Sequence, residues 1–212
     1  MIEYVVPGNI DDRVVAKAVK LLGGGGLVAL PTDTSWALTC SLGSKAGIKK
    51  LKSLSRERDE QHFTLLCADI SQFGELCGMD NTRFRLIKRL SPGPYTFILK
   101  TLLGTEKILD IRRREVGIRI PNHPIPLALI RALASPLYSV TAKRSMAGLD
   151  REQGPEIPEE ELFEADWEME SIDGLDMIVS GDETRPRIFS TVLDITENEA
   201  RVIRLGAGTW PV

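Results

Sequence analysis

Four consecutive glycines, Gly23 to Gly26, precede the apolar run Leu27 to Leu30 and then Pro31-Thr32-Asp33-Thr34-Ser35. This stretch constrains the fold more than any other in the chain. A helix loses backbone entropy at every glycine it orders, so any preceding helix ends at this run. Four apolar residues in succession read as a strand buried on both faces. The residues that follow project hydroxyls and a carboxylate from the end of that strand. In an open α/β sheet, ligands bind just beyond the carboxyl ends of strands. A polar turn with a capping Asp and no ligand accounts for the same residues.

The rest of the chain supplies the frame. Asp11 or Asp12 is placed to cap a helix over 14–22, and Ala46, Ile48 and Leu51 give one buried face to a helix from about Ser44 to Leu54. Strands are expected over 63–67, 95–100, 116–120 and 137–141. Helices are expected from Asp69, over 82–90 behind a cap at Asp80 or Asn81, and from Pro124 to 134. Three strand-like runs come last, at 176–180, 189–195 and 200–205. Strands that alternate with single helices and then follow one another predict an α/β (α+β) domain spanning 1–212, with a twisted mixed sheet flanked by helices.

Charge narrows the function classes. The segment at about 150–176 holds twelve acidic residues and one basic residue, so an overall charge of −3 leaves +8 on the remaining 185 residues. Such a body suits polyanions. Arg83, Arg85, Lys88 and Arg89 share one predicted helix, and Arg112, Arg113 and Arg114 form a run, although a solvated helix face and a loop also explain them. No aromatics interleave with these cations, so any RNA contact goes to phosphate and weakens steeply with salt. The acidic segment reads as an insertion or surface helix over the rim of a cleft, anchored by Leu162 and Trp167, or as a solvated face. Cys40, Cys67 and Cys77 form no CxxC pair and read as inert core thiols. His62 and His123 are too few for a structural metal site, and His123 reads as a brace before a helix. An apolar fraction of 42% supports a substantial core. No apolar run approaches the ~18 residues of a membrane span. The N-terminal stretch has neither a signal-peptide nor a transit-peptide pattern, so the expected compartment is the cytoplasm.

The glycines before PTDT, then PGPYTFILK, GIRIPNHP, LYSVTA, STVLDI and RLGAGT, occur in an order that resembles the YrdC-like family, which includes the threonylcarbamoyl-AMP synthases. FTLLC and DNTRFRLIKRLSPGPYTFILK are most similar to its YciO branch. The resemblance runs from about residue 10 to 206. It implies a large concave, positively charged pocket. It also implies a reaction of ATP, L-threonine and bicarbonate that yields threonylcarbamoyl-AMP and pyrophosphate. The product serves tRNA modification, with Mg2+ carried by the nucleotide and no metal bound by the protein itself.

By the same resemblance Thr34, Arg119, Ser139 and Ser190 lie on the threonine side, and Arg56, Arg58, Thr141, Lys143 and Arg204 on the nucleotide side. No residue receives a catalytic role, because positioning and cationic stabilisation of phosphate suffice for this condensation. The residues add their own argument. Arg119 stands among apolar neighbours, where a cation needs an anion, either a bound carboxylate or a partner in the fold such as Asp33 or Asp194. Ser139 and Thr141 alternate along one strand and so share a face. Ser190 also suits ordinary strand-end hydrogen bonding. Two departures from the synthase pattern imply a changed nucleotide site and weak or altered activity. Arg56 and Arg58 stand near its Lys-x-Arg motif, and Lys143 replaces the Asn of its Ser-x-Asn, adding a charge and removing an acceptor. Trp36 stands where a tyrosine is common, keeping a ring without its hydroxyl. The alternative function is a non-catalytic protein that binds double-stranded or ribosomal RNA in the same basic cavity.

Overall fold

Among the described residues ten strands join in one mixed sheet, and a period of two along its central strands sorts side chains onto two faces. In this computed structural model the described residues are 1–6, 8–55, 63–103, 114–149, 158–181 and 184–210. The strands are β1 (Ile2–Tyr4), β2 (Val28–Pro31), β3 (Trp36–Ser41), β4 (Thr64–Leu66), β5 (Tyr95–Lys100), β6 (Glu115–Arg119), β7 (Leu137–Thr141), β8 (Met177–Ser180), β9 (Thr191–Asp194) and β10 (Arg201–Arg204). Their spatial order is β1-β8-β2-β3-β7-β4-β6-β5-β9-β10. The centre mixes antiparallel pairs (β3 with β7, β7 with β4, β5 with β6) and parallel pairs (β4 with β6, β5 with β9).

Residues in register share a face. Leu38, Val140, Tyr138, Leu65, Ile118, Phe97 and Leu193 lie on one face, all within 5% exposure, and form the main core. Three helices bring apolar faces to this core: α2 (Lys45–Ser55) with Ile48 and Leu51, α3 (Ser71–Leu76) with Phe73, and α4 (Asn81–Leu90) with Ile87. The opposite face carries Leu66, Leu137 and Ala37, with Val28, Leu30, Met177 and Val179 at the β8–β2 end. The helices α1 (Asp12–Gly23) and α5 (Pro124–Leu133) cover that end through Ala18, Leu22, Ile125 and Leu129. They do not extend over the β5–β9–β10 side, where the face stays open.

Local chemistry sets the element ends. Asp11 accepts from the Arg13 N–H at 2.8 Å, and Asp80 from the Arg83 N–H at 2.8 Å, so in each pair of candidates the capping residue is the first. The His123 ring nitrogen accepts from the Ile125 N–H at 3.3 Å, which is the brace expected before α5. All three cysteines are buried, and loss of hydration pushes the thiols of Cys40 and Cys77 up to about 12. No helix among the described residues is long and apolar enough to cross a membrane.

The structure corrects three expectations. The strand after the glycine run turns straight back as the hairpin β2–β3, and β1 adds a strand at the sheet edge beside β8. The acidic segment is not mainly a solvated surface. Phe163 and Met169 are fully buried and Ile172 nearly so; of the two expected anchors Leu162 is fully buried, whereas Trp167 is 66% exposed. Arg83 is not part of a free basic face. Its guanidinium donates to the carbonyls of Ile195, Thr196 and Glu197 and pairs with Asp80, which ties α4 to the turn after β9.

Candidate functional site

The open part of the sheet face is the floor of a cavity of about 500 Å³. The strand registers build this floor. Ala37 lies beside Thr141, Ser139 beside Thr64, Thr64 beside Gly117, Leu66 beside Arg119, Thr96 beside Val192, and Val192 beside Arg204. Each of these residues lines the cavity. The alternation in TLL, YTFILK, GIR and LYSVT therefore sends Thr64, Thr96, Gly117, Arg119, Ser139 and Thr141 to the cavity, with Leu66 and Ile98 beside them, and Leu65, Phe97, Ile118 and Tyr138 to the core. Gly117 keeps the floor low. A Cβ there would stand 3.1 Å from the Phe63 carbonyl oxygen and 3.2 Å from Thr64 Oγ1.

The PTDTS turn closes one end. Thr32 Oγ1 donates to the Ser35 carbonyl at 2.6 Å and accepts from the Thr34 N–H at 3.1 Å, which tightens the hairpin. Thr32 and Ser35 line the cavity. Thr34 is fully buried behind it and does not line it. Its hydroxyl instead accepts from Arg119 Nη1 at 2.9 Å. Thr34 therefore holds the arginine that lines the wall.

Arg119 is 5% exposed, and the partner in the fold that its burial called for is Asp33. Nη2 donates to Asp33 Oδ1 at 2.7 Å, and Nε to the Gly93 carbonyl at 3.2 Å. Asp33 Oδ1 also accepts from the Asn122 N–H at 3.0 Å, so the turn, β6 and the start of α5 meet at one carboxylate. Burial lowers the pKa of Arg119, and the charge and hydrogen bond of Asp33 oppose that shift. Of the five guanidinium N–H groups, three are used in these bonds, and the other two have no hydrogen-bond acceptor among the described residues.

The opposite wall comes from the C-terminal strands. Ser190 Oγ lies 3.0 Å from Thr96 Oγ1, and Arg204 donates to the Ser190 carbonyl from Nε at 3.2 Å and Nη2 at 3.1 Å. No carboxylate among the described residues pairs with Arg204. Its pKa is lowered by burial first and then by the like charge of Arg119, with Glu161 acting the other way. Two cations that disfavour each other across one hollow make it receptive to an anion. Ser139 Oγ donates to the Thr64 carbonyl at 2.7 Å, and Thr141 follows it on the same face as the alternation predicted. Lys143 lines the cavity and pairs with Glu161 at 3.3 Å.

Arg119, Ser139, Thr141, Lys143, Ser190 and Arg204, which come from distant parts of the sequence, therefore converge on one hollow. Arg56, Arg58, His62, Arg112 and Arg113 lie outside the described residues. Sequence reasoning missed Thr64 and Thr96, whose alternation with Leu65 and Phe97 carried the signal, and Phe189, whose place on the wall no local pattern announces. Trp36 lines the cavity and donates from Nε1 to the Glu164 carbonyl at 3.2 Å, so its ring is fastened to the acidic segment.

The Sua5/YciO/YrdC family, described as "Telomere recombination", matches residues 20–206. The protein named YciO from Escherichia coli K12, itself termed uncharacterized, is 33% identical over 97% of this chain and 95% of its own length. The crystal structure of E. coli YciO superposes with a TM-score of 0.83 at 29% identity, over 99% of this chain and 97% of that one. A threonylcarbamoyl-AMP synthase from Mus musculus is 31% identical over 84% of this chain and 61% of its own length.

Proposed function

The chain belongs to the Sua5/YciO/YrdC family, and from that premise we propose that its cavity binds ATP and L-threonine. There it would run a threonylcarbamoyl-AMP synthase-type condensation with bicarbonate, weak or altered on the nucleotide side. One observation carries the reading: Arg119, Ser190 and Arg204 line a single hollow of ligand size with no carboxylate among its described lining residues. Arg119 and Ser190 are suited to the amino-acid carboxylate, and Thr141, Lys143 and Arg204 to the phosphates. Arg56 and Arg58 are proposed beside them on the resemblance alone. Mg2+ would arrive with the nucleotide. In this chemistry the chain orients the carbamate against the α-phosphate and offsets charge on the phosphate oxygens as pyrophosphate leaves. The mouse relative's name supports threonine as the amino acid.

The test is pyrophosphate release from ATP with labelled bicarbonate, with and without threonine, in the parent and Arg119→Ala. Threonine-dependent release that disappears in the variant is expected. Threonine-independent turnover, or none, rejects the synthase version. RNA binding that weakens steeply with salt, without turnover, would select the alternative.

A further inference from the structure

Lys143, Phe189 and Arg204 make one wall of the cavity, and the acidic segment delivers a carboxylate to it. Lys143 Nζ stands 5.9 Å, and Arg204 Cζ 4.5 Å, from the centre of the Phe189 ring. Glu161 Oε2 lies 3.3 Å from Lys143 Nζ, and the two side chains are 25% and 33% exposed. A backbone bridge between Lys143 and Leu162 holds the two segments together, and Leu162 is fully buried. Glu161 is therefore anchored beside the wall by its neighbour. Arg204 has no such carboxylate partner among the described residues.

We propose that Glu161 is a specificity-determining residue, a built-in counter-ion that competes with multiply charged phosphate ligands for Lys143. The inference rests on the reading that this cavity takes a nucleotide. A ligand with one negative charge is met by Arg204 and leaves the Lys143–Glu161 pair intact. A triphosphate carries more charge than Arg204 balances, so it draws Lys143 off Glu161, whose partly exposed carboxylate turns to water. The 3.3 Å separation is looser than a tight charged hydrogen bond of about 2.7–2.9 Å, which makes the exchange feasible. Lys143 alone would strengthen polyphosphate binding, and Glu161 restrains that gain.

The experiment is calorimetric titration of the full chain with inorganic triphosphate, ATP and cyclic AMP, the last carrying one charge. Glu161→Gln should tighten triphosphate and ATP roughly fivefold, the size of a partly exposed ion pair, and cyclic AMP less than about twofold. In a Lys143→Gln background the same change should add less than about twofold. Equal tightening of all three ligands, persistence of the gain without Lys143, or no triphosphate binding in any form overturns the proposal. Glu161→Ala repeats the test if Glu161→Gln does not fold. A triphosphate gain without threonine-dependent turnover would sink the synthase reading and leave this one standing. Turnover with unchanged triphosphate affinity would do the reverse.

Discussion

Arg119 is buried and its partner Asp33 is partly buried, so removing Asp33 leaves an uncompensated buried cation. Asp33→Asn should lower unfolding free energy by about 2–3 kcal/mol in a urea titration, at or below the low end of the cost of breaking a fully buried pair. An unchanged midpoint would mean that Thr34 and the Gly93 carbonyl suffice to hold the arginine. Gly206 makes a second prediction at this scale. A Cβ there would stand 2.1 Å from the Phe189 carbonyl oxygen, far inside contact distance. Gly206→Ala should therefore cost about 2 kcal/mol and loosen the Phe189–Ser190 wall, weakening ATP binding in the same titration. Wild-type stability and affinity would show that the loop after β10 gives way freely. At this scale the sequence revealed that Arg119 needed an anion, because a cation among apolar neighbours cannot stand alone. It left Asp33 and Asp194 as equal choices, and Asp194 is instead bonded to Thr196 and Arg201.

The acidic segment shows how composition misleads at the scale of an element. Its many carboxylates suggest a solvated face, yet Phe163 and Met169 enter the main core, while Glu168 satisfies backbone N–H groups. Glu168 Oε2 accepts from Glu164 N at 2.8 Å and Ala165 N at 2.9 Å, and Oε1 pairs with Arg144 at 2.5 Å. Phe163→Ala should cost about 3–4 kcal/mol, and Trp167→Ala less than ~0.5 kcal/mol, both read by chemical denaturation. The reverse order would restore Trp167 as the anchor. The helices were more legible than this segment because their caps and apolar spacing are local signals. The hairpin β2–β3 was missed because its turn is held by Thr32 and not by a glycine or proline pair at its centre.

For the molecule as a whole, several carboxylates respond to acid in the same direction. Burial pushes the Glu168 carboxyl up, but the N–H groups of Ala165 and Glu164 and the Arg144 guanidinium outweigh it and hold it below its ordinary 4.5. Asp194 is likewise raised by burial, yet Thr196 and Arg201 hold it below its ordinary 3.8. Groups with lowered folded pKa values give their stabilisation in full above the ordinary value and lose it as pH falls through the folded one. The melting temperature should therefore hold from about pH 7 to 5 and fall below about 4.5, with a shallower fall in Glu168→Gln. A fall that begins near pH 6 would point to other groups. The sequence by itself determined the mixed α/β class, most strands and helices, and which strand residues share a face, since a period of two and a capping side chain act over a few residues. Only the tertiary structure decided that α1 and α5 stop short of the β5–β9–β10 side, that Asp33 and not Asp194 neutralises Arg119, and that Glu161 reaches Lys143. Those outcomes depend on strand order and on contacts between residues far apart in the chain, which no local pattern encodes.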